Sequence, residues 1–474
     1  MRTILTSFVL LFSACLTVAQ TNGEKALNEI DKKSSIYNEI ALQIWNFSEM
    51  GYLEEKSAAL LSETLKKEGF TIKTGVAGIP TAFTAEYGQG SPVIAILGEY
   101  DALPGLSQQA VPEKLSAGKE AGHACGHHLF GTASMAAAIS LKNWLKDNKM
   151  KGTVRFYGCP AEEGGSGKVY LTRDGLFSDV DVALHWHPGS VNSANPGAAM
   201  ANKSAKFRFF GVSAHAAGAP EKGRSALDAV EAMNYMVNMM REHIPQESRI
   251  HYVITEGGKA PNVVPDFAEV YYYARHENRN TVINIFDRIV KAAEGAAMGT
   301  ETRMQYEMIG GTHELLENET LQKLVYQNLS TVGGFSYTYE ERVFAEKIAQ
   351  SMNLKLNTQF SESIMPYNPD AFPLGSTDVG DVSFNVPTVG FSTATWVPGT
   401  PAHSWQAVAA GGTTIGTKGM LTAAKTLTLT GIELFQNPEI IQNAKAEFLE
   451  RRGENFKYTP LLGDRKPALD YRKN

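Results

Sequence analysis

Between Ala121 and Thr132 the chain reads AGHACGHHLFGT, which places a cysteine and three histidines within a few residues. Cys125 and His127 are two apart, and in an extended segment that spacing turns both side chains to one side. Thiolate sulfur and imidazole nitrogen are ligands that zinc and similar divalent ions accept. An isolated Cys-x-His pair is more often a buried cysteine beside a capping histidine. Further groups of the same chemistry shift the balance: Glu162 and Glu163 in GCPAEEGGSG, His185 in ALHWHP, and His403 in PGTPAHSWQ. Each ends an apolar run or sits in a Gly/Pro-rich loop.

Adjacent carboxylates on a regular element face different ways. On a Gly-rich loop at a strand end, one can bind a metal while the other reaches the same water. Amide hydrolysis asks for that division: the ion acidifies the water and polarises the carbonyl, and a free carboxylate takes the proton. An arbitrary Glu-Glu pair would be solvated in a turn, and the GCPAEEGGSG context argues against this. His185 directly follows the strand-like run 180–184 and is the expected ligand, with His187 supporting it or exposed. His403, judged on its segment alone, is more often structural or solvent-facing than a ligand. A rival chemistry makes Cys125 a nucleophile with a neighbouring histidine as base. It leaves the glutamate pair, His185 and His403 without a role.

The surrounding elements must bring these pieces together. Ile36, Ile40, Ile44 and Phe47 recur at helical spacing, as do Leu60, Leu61 and Leu65 before Gly69. The five-residue run 93–97 marks a strand buried on both faces. It leads into GEYDALPG, with Glu99 and Asp101 at the carboxyl end, where open α/β sheets place their ligands. A helix after the Cys/His stretch carries Leu129, Ala133, Ala137, Leu141 and Leu145 on one face, and small residues near its start allow close approach to the sheet. Strands over 153–157 and 180–184 complete a doubly wound, mostly parallel α/β pattern. Between about 202 and 312 the order changes to strand, helix, two strands, helix, strand. This βαββαβ unit is ferredoxin-like. The α/β pattern then resumes with a helix over 321–329 and a strand over 388–391. The expected organisation is therefore a leader at 1–19, a catalytic domain in two parts at 20–201 and 313–474, and an inserted domain at 202–312.

The leader rests on Arg2, an apolar stretch over 4–12 and the small residues Thr17-Val18-Ala19 before Gln20. It implies an exported protein, periplasmic or secreted. A weak lipobox ends at Cys15, but Phe12 is a poor residue at its first position. No later run is long enough to span a bilayer. Cleavage would leave Cys125 and Cys159, too few for a disulfide framework in 474 residues, although the two could still pair. With Cys125 as ligand, Cys159 reads as a small buried residue. The net charge of −6 argues against a nucleic-acid surface.

The strings GEYDALPGLSQQA, GHACGHHLFGTASMAAA, PAEEGGSGK, ALHWHP, SAHAAGAPEKGRSALDAV, PNVVP, GSTDVGDVSFNVPT and GTPAHSWQ span about residues 99–406. In this order they resemble the aminoacylase/carboxypeptidase metallopeptidases, metallopeptidase family 20, in its amidohydrolase subfamily D. The resemblance implies a site for two divalent ions, zinc or manganese, built from Cys125, His127, Glu163, His185 and His403. It makes Glu162 the catalytic carboxylate. His215 matches a histidine that reaches across a dimer to the partner's site. Asn262 and Arg275 match positions that hold the substrate's carboxylate, and Arg275 also has a plain reading as a strand-end ion pair. Many members carry a ligating His-x-Asp where this chain has Glu99-Tyr100-Asp101; Asp101 then orients a ligand from behind, and the role of Glu99 stays open. The implied activity is hydrolysis of the amide of an N-acyl or N-aroyl amino acid, such as aminobenzoyl-glutamate, or of a short dipeptide. The implied assembly is a homodimer or a heteromer with a related subunit. The alternative is an exported binding subunit of the same fold without catalysis, which an intact Glu162 argues against.

Overall fold

Residues 93–97 form the first five residues of the strand Val93–Glu99, buried along its whole length. Its alternate residues enter different cores. Ile94 and Ile96 join the cluster that contains Leu129, Ala133 and Ala137 of the helix His127–Asn148. Ala95 and Leu97 pack instead with Val169, Tyr170 and Val379 on the opposite side. That two-sided burial is why the run is apolar without alternation. The computed structural model describes residues 23–195, 199–370 and 375–473, so the leader expected at 1–19 lies outside the described residues.

The central sheet has six strands in the order Thr71–Thr74, Phe83–Gln89, Gly152–Cys159, Val93–Glu99, Val182–Leu184 and Thr388–Val389. The last four run parallel, and the first two are added antiparallel at one edge. The carboxyl ends of the parallel strands therefore lie together. They lead into the Glu99–Asp101 segment, the Glu162 loop and the histidines after Leu184. Helix His127–Asn148 approaches this end closely: a Cβ on Gly131 would fall 2.6 Å from the Glu99 carbonyl oxygen.

One expected strand divides. Residues 388–391 give the short parallel strand Thr388–Val389, while Ser392–Ala394 pairs with His187–Gly189 in a separate ladder. Gly390 lies at the break, where a Cβ would sit 2.2 Å from the His185 ring.

The second sheet orders its strands Arg249–Glu256, Phe267–His276, Ala201–Phe210 and Arg303–Thr312, all antiparallel. Helices Ala226–Met240 and Arg279–Gly299 cover one face, around Phe207, Phe209, Met233 and Phe286. Each helix starts on a side-chain cap, Ser225 for the first and Asn278 for the second. The first passes directly into a 3₁₀ turn at Arg241–His243.

Candidate active site

Cys125 does not lie in an extended segment. It sits in a turn, and Gly126, at φ +78°, opens the helix that begins at His127. Glycine is required there twice over, since a Cβ would also fall 2.6 Å from Pro188. The turn, rather than strand alternation, places both side chains in one site. His127 Nδ1 lies 2.7 Å from Asp101 Oδ1, and the second Asp101 oxygen accepts the backbone N–H of Glu163 at 2.9 Å. Asp101 thus orients the imidazole and ties down the glutamate loop together. His127 Nε2 faces Glu99 Oε2 at 3.0 Å, yet neither atom has a hydrogen-bond partner. Burial opposes charge on His127, but Asp101 and Glu99 outweigh it and raise its pKa well above the ordinary value.

The geometry brings His187, rather than the expected His185, beside the thiol. His187 approaches Cys125, with Nε2 3.3 Å from Sγ, while its Nδ1 meets the Pro188 carbonyl at 2.7 Å. Cys125, His127 and His187 offer ligand atoms within 4.8 Å of one another. His185 belongs to none of the ligand groups among the described residues. Its ring is packed against Gly390, and burial, with the nearby Lys168 charge, lowers its pKa to about 3. The following residues carry the chain onward to Pro188, so the imidazole two positions later reaches the thiol.

Glu163 and His403 complete a second group with Cys125. Glu163 Oε1 lies 3.1 Å from His403 Nε2, and the His403 N–H donates to the Ala124 carbonyl, joining two remote loops. His403 holds φ +59°, uncommon for a residue with a side chain. Glu162 groups instead with Glu99 and His127. Burial first, then the charges of Glu99, Glu163 and Asp378, raise its pKa well above the carboxylate range. Burial likewise pushes the Cys125 thiol up, which is unfavourable for a free nucleophile. Cys125 and Cys159 are both buried and unpaired.

Several residues of the centre were not singled out by the sequence. Lys168 is fully buried and bridges Glu99 Oε1 at 2.5 Å and Asp378 Oδ1 at 2.7 Å. Glu54, also buried, accepts the Ala161 N–H at 2.8 Å and the Thr81 hydroxyl at 3.1 Å. Burial, reinforced by Asp101, raises the Glu54 pKa to about 8. The lysine in PAEEGGSGK and the aspartate in GSTDVGD were at least visible inside distinctive strings; Glu54 was not.

The second sheet carries the remaining candidates, and none of them joins the ligand groups. His215 is exposed, and its Nδ1 accepts the N–H groups of Ala217 and Gly218 at 3.2 and 2.9 Å. The ring proton therefore sits on Nε2, which points a donor outward. Asn262 is adjacent, its carbonyl accepting the Ala216 N–H. Among the described residues Arg275 makes no strand-end ion pair, its alternative reading. Its guanidinium stacks over Tyr273 at 5.1 Å, and its Nε is buried without a hydrogen-bond partner.

The donor set fits divalent ions. Glu99 Oε2, His127 Nε2 and Glu163 Oε1 are buried polar atoms without a hydrogen-bond partner. Cys125 is shared by two groups that supply sulfur, nitrogen and carboxylate oxygen. A cavity of about 640 Å³ adjoins His403 and is walled by Leu106, Gln108, Lys119 and Trp405, among others. No helix among the described residues is long and apolar enough to cross a membrane.

Comparison with known proteins agrees with this architecture. Residues 199–301 match the peptidase dimerisation domain of the M20 family. The chain is 44% identical over 440 residues to a p-aminobenzoyl-glutamate hydrolase subunit of Escherichia coli, covering 87% of this chain and 91% of that protein. It is 28% identical to the mouse Xaa-Arg dipeptidase, over 90% and 91% of the two chains. A dinuclear metal-binding M20 peptidase from Bacillus subtilis shares the fold, with a TM-score of 0.59 at 16% identity over 86% of this chain and 99% of that one. The chain belongs to the M20 metallopeptidase/amidohydrolase family and is a hydrolase of that family.

Proposed function

We propose that this protein hydrolyses the amide bond of an N-acyl or N-aroyl amino acid, with p-aminobenzoyl-glutamate or a short dipeptide as the leading substrates. The observation that carries the reading is the convergence of Cys125, His127, His187, Glu163 and His403 into two ligand groups that share the thiolate. These residues would hold two divalent ions, zinc or manganese. When bound, the ions supply Lewis acidity, polarising the scissile carbonyl and acidifying the attacking water. Glu162 accepts the proton from that water and returns it to the leaving amine. Burial and the neighbouring carboxylates raise its pKa, the direction expected of a carboxylate that must hold a proton in transit.

Asp101 fixes the orientation of His127 and of the Glu163 backbone. The outward Nε2–H of His215 suits donation to the carbonyl oxygen in the partner subunit's site. Asn262 and the partly unsatisfied guanidinium of Arg275 suit a substrate carboxylate. The apolar leader supports export to the periplasm or medium. Dimerisation is supported by the matched domain and by exposed apolar residues on the insert, among them Tyr235, Met239 and Val253.

The test is to strip divalent ions with a chelator, restore zinc or manganese separately, and follow amine release from a panel of N-acyl amino acids and dipeptides. Activity should vanish on stripping and return with one of the metals. Turnover that is indifferent to stripping, with metal loss verified by elemental analysis, would overturn the reading.

A further inference from the structure

The loop that carries Glu162 and Glu163 is not a regular element. Ala161 (φ +56°) and Ser166 (φ +60°) hold left-handed conformations, and Glu163 departs from helical geometry at ψ +67°. Left-handed residues with side chains persist only where their surroundings over-determine them. Four sets of contacts supply that determination. Glu54 accepts the Ala161 N–H, Asp101 accepts the Glu163 N–H, and the Tyr52 hydroxyl donates to the Gly165 carbonyl at 2.7 Å. The fourth comes from the far end of the chain. Tyr471 Oη and Arg472 Nη2 both donate to the Glu163 carbonyl, at 3.1 and 2.9 Å.

The segment that delivers these two donors is itself held. Leu462 is buried in the same core as Tyr52 and Ala161. Arg173 donates to the Arg465 carbonyl at 2.7 Å, and the Tyr170 hydroxyl donates to that of Lys466 at 3.3 Å. Both anchors lie on the helix Gly167–Arg173, which directly follows the loop. Tyr471 packs edge-on to Tyr52 at 5.6 Å, over Gly51, where a Cβ would fall 2.3 Å from the Tyr471 hydroxyl. The tail is therefore fitted against the loop along its length.

We infer that Tyr471 and Arg472 are positioning residues, which clamp the Glu163 peptide from the C-terminal tail and so fix where the Glu163 carboxylate stands. Residue Glu163 is gripped on both sides, its N–H by Asp101 and its carbonyl by the two tail donors. With both grips in place the backbone cannot rotate about this residue, and the side chain leaves in one direction. Removing the tail donors frees the carbonyl end only. The inference rests on the reading of Glu163 as a ligand.

The experiment compares the full chain with Tyr471→Phe, Arg472→Met and the double variant. Metal retention is read by chelator competition, using zinc alone, and backbone mobility by amide hydrogen exchange of peptides covering 161–166. Tyr471→Phe keeps the ring packing and removes one donor, so it stays interpretable if the double variant folds poorly. The expected result is faster exchange in 161–166 and about 10-fold weaker zinc retention in the double variant, as for other residues that act behind a ligand. Arg472→Lys should restore part of both. Unchanged exchange and unchanged retention would overturn the inference, and so would a loss that follows global unfolding with no local change in 161–166. If the parent chain holds no zinc, the reading of the site fails instead; exchange of the metal-free protein then decides the clamping claim alone.

Discussion

Cys125 Sγ lies 3.3 Å from His187 Nε2, and the opposite ring nitrogen of His187 is taken by the Pro188 carbonyl at 2.7 Å. A neutral imidazole that donates from Nδ1 presents a lone pair at Nε2. His187 is thus prepared as a ligand beside the thiol, whereas the His185 ring is wedged against Gly390. His187→Ala should lower zinc affinity by at least about 10-fold, the scale on which even outer-shell changes act. His185→Ala should lower thermal stability while leaving the metal content of the folded fraction close to that of the parent. Elemental analysis after dialysis distinguishes the two. The reverse pattern would return the ligand role to His185.

Cys125→Ser should reduce metal occupancy at both groups, because the thiolate is common to them and a neutral hydroxyl is a much weaker ligand. Excess metal should recover part of the activity. A covalent acyl-enzyme on Cys125, trapped during turnover and seen by mass spectrometry, would instead favour the nucleophile chemistry that its buried, high-pKa thiol disfavours.

Glu162→Gln and His215→Ala, each nearly inactive alone, should regain activity when mixed under conditions that exchange subunits. A mixed dimer with shared sites has one centre lacking both groups and one with both intact. The His215 hydrogen bond is worth roughly 3–4 kcal/mol if it acts like other single oxyanion donors. Absence of recovery, with exchange confirmed by native mass spectrometry, would place His215 in its own subunit's site or outside the reaction.

The double burial of residues 93–97 and the change of rhythm after 202 are local patterns; the parallel part of the first sheet and the second sheet were legible from them, whereas the edge strands Thr71–Thr74 and Phe83–Gln89 were not. The donor types of Cys125 and Glu163 were legible for the same reason, since both sit in distinctive short strings, whereas the segment of His403 taken alone read as structural. Geometry was less so. Cys125 and His127 meet through a left-handed glycine rather than along a strand. His185 and His187 share a segment of alternating direction, so an apolar run ending at His185 could not say which ring reaches the thiol. The network of Lys168, Glu99 and Asp378, and the grip of Tyr471 and Arg472 on Glu163, join residues up to 309 positions apart. Contacts of that span leave no periodicity to read.

The most direct measurement pairs turnover with metal content in Glu162→Gln. The substitution keeps the shape of the side chain and leaves Glu163 in place, but removes the proton acceptor. A metal content near that of the parent and a loss of turnover of at least ~100-fold, the lower end of what a general base supplies, are predicted. Retained turnover would contradict the account, and so would loss of the metal, which would make Glu162 a ligand and leave the proton without an acceptor.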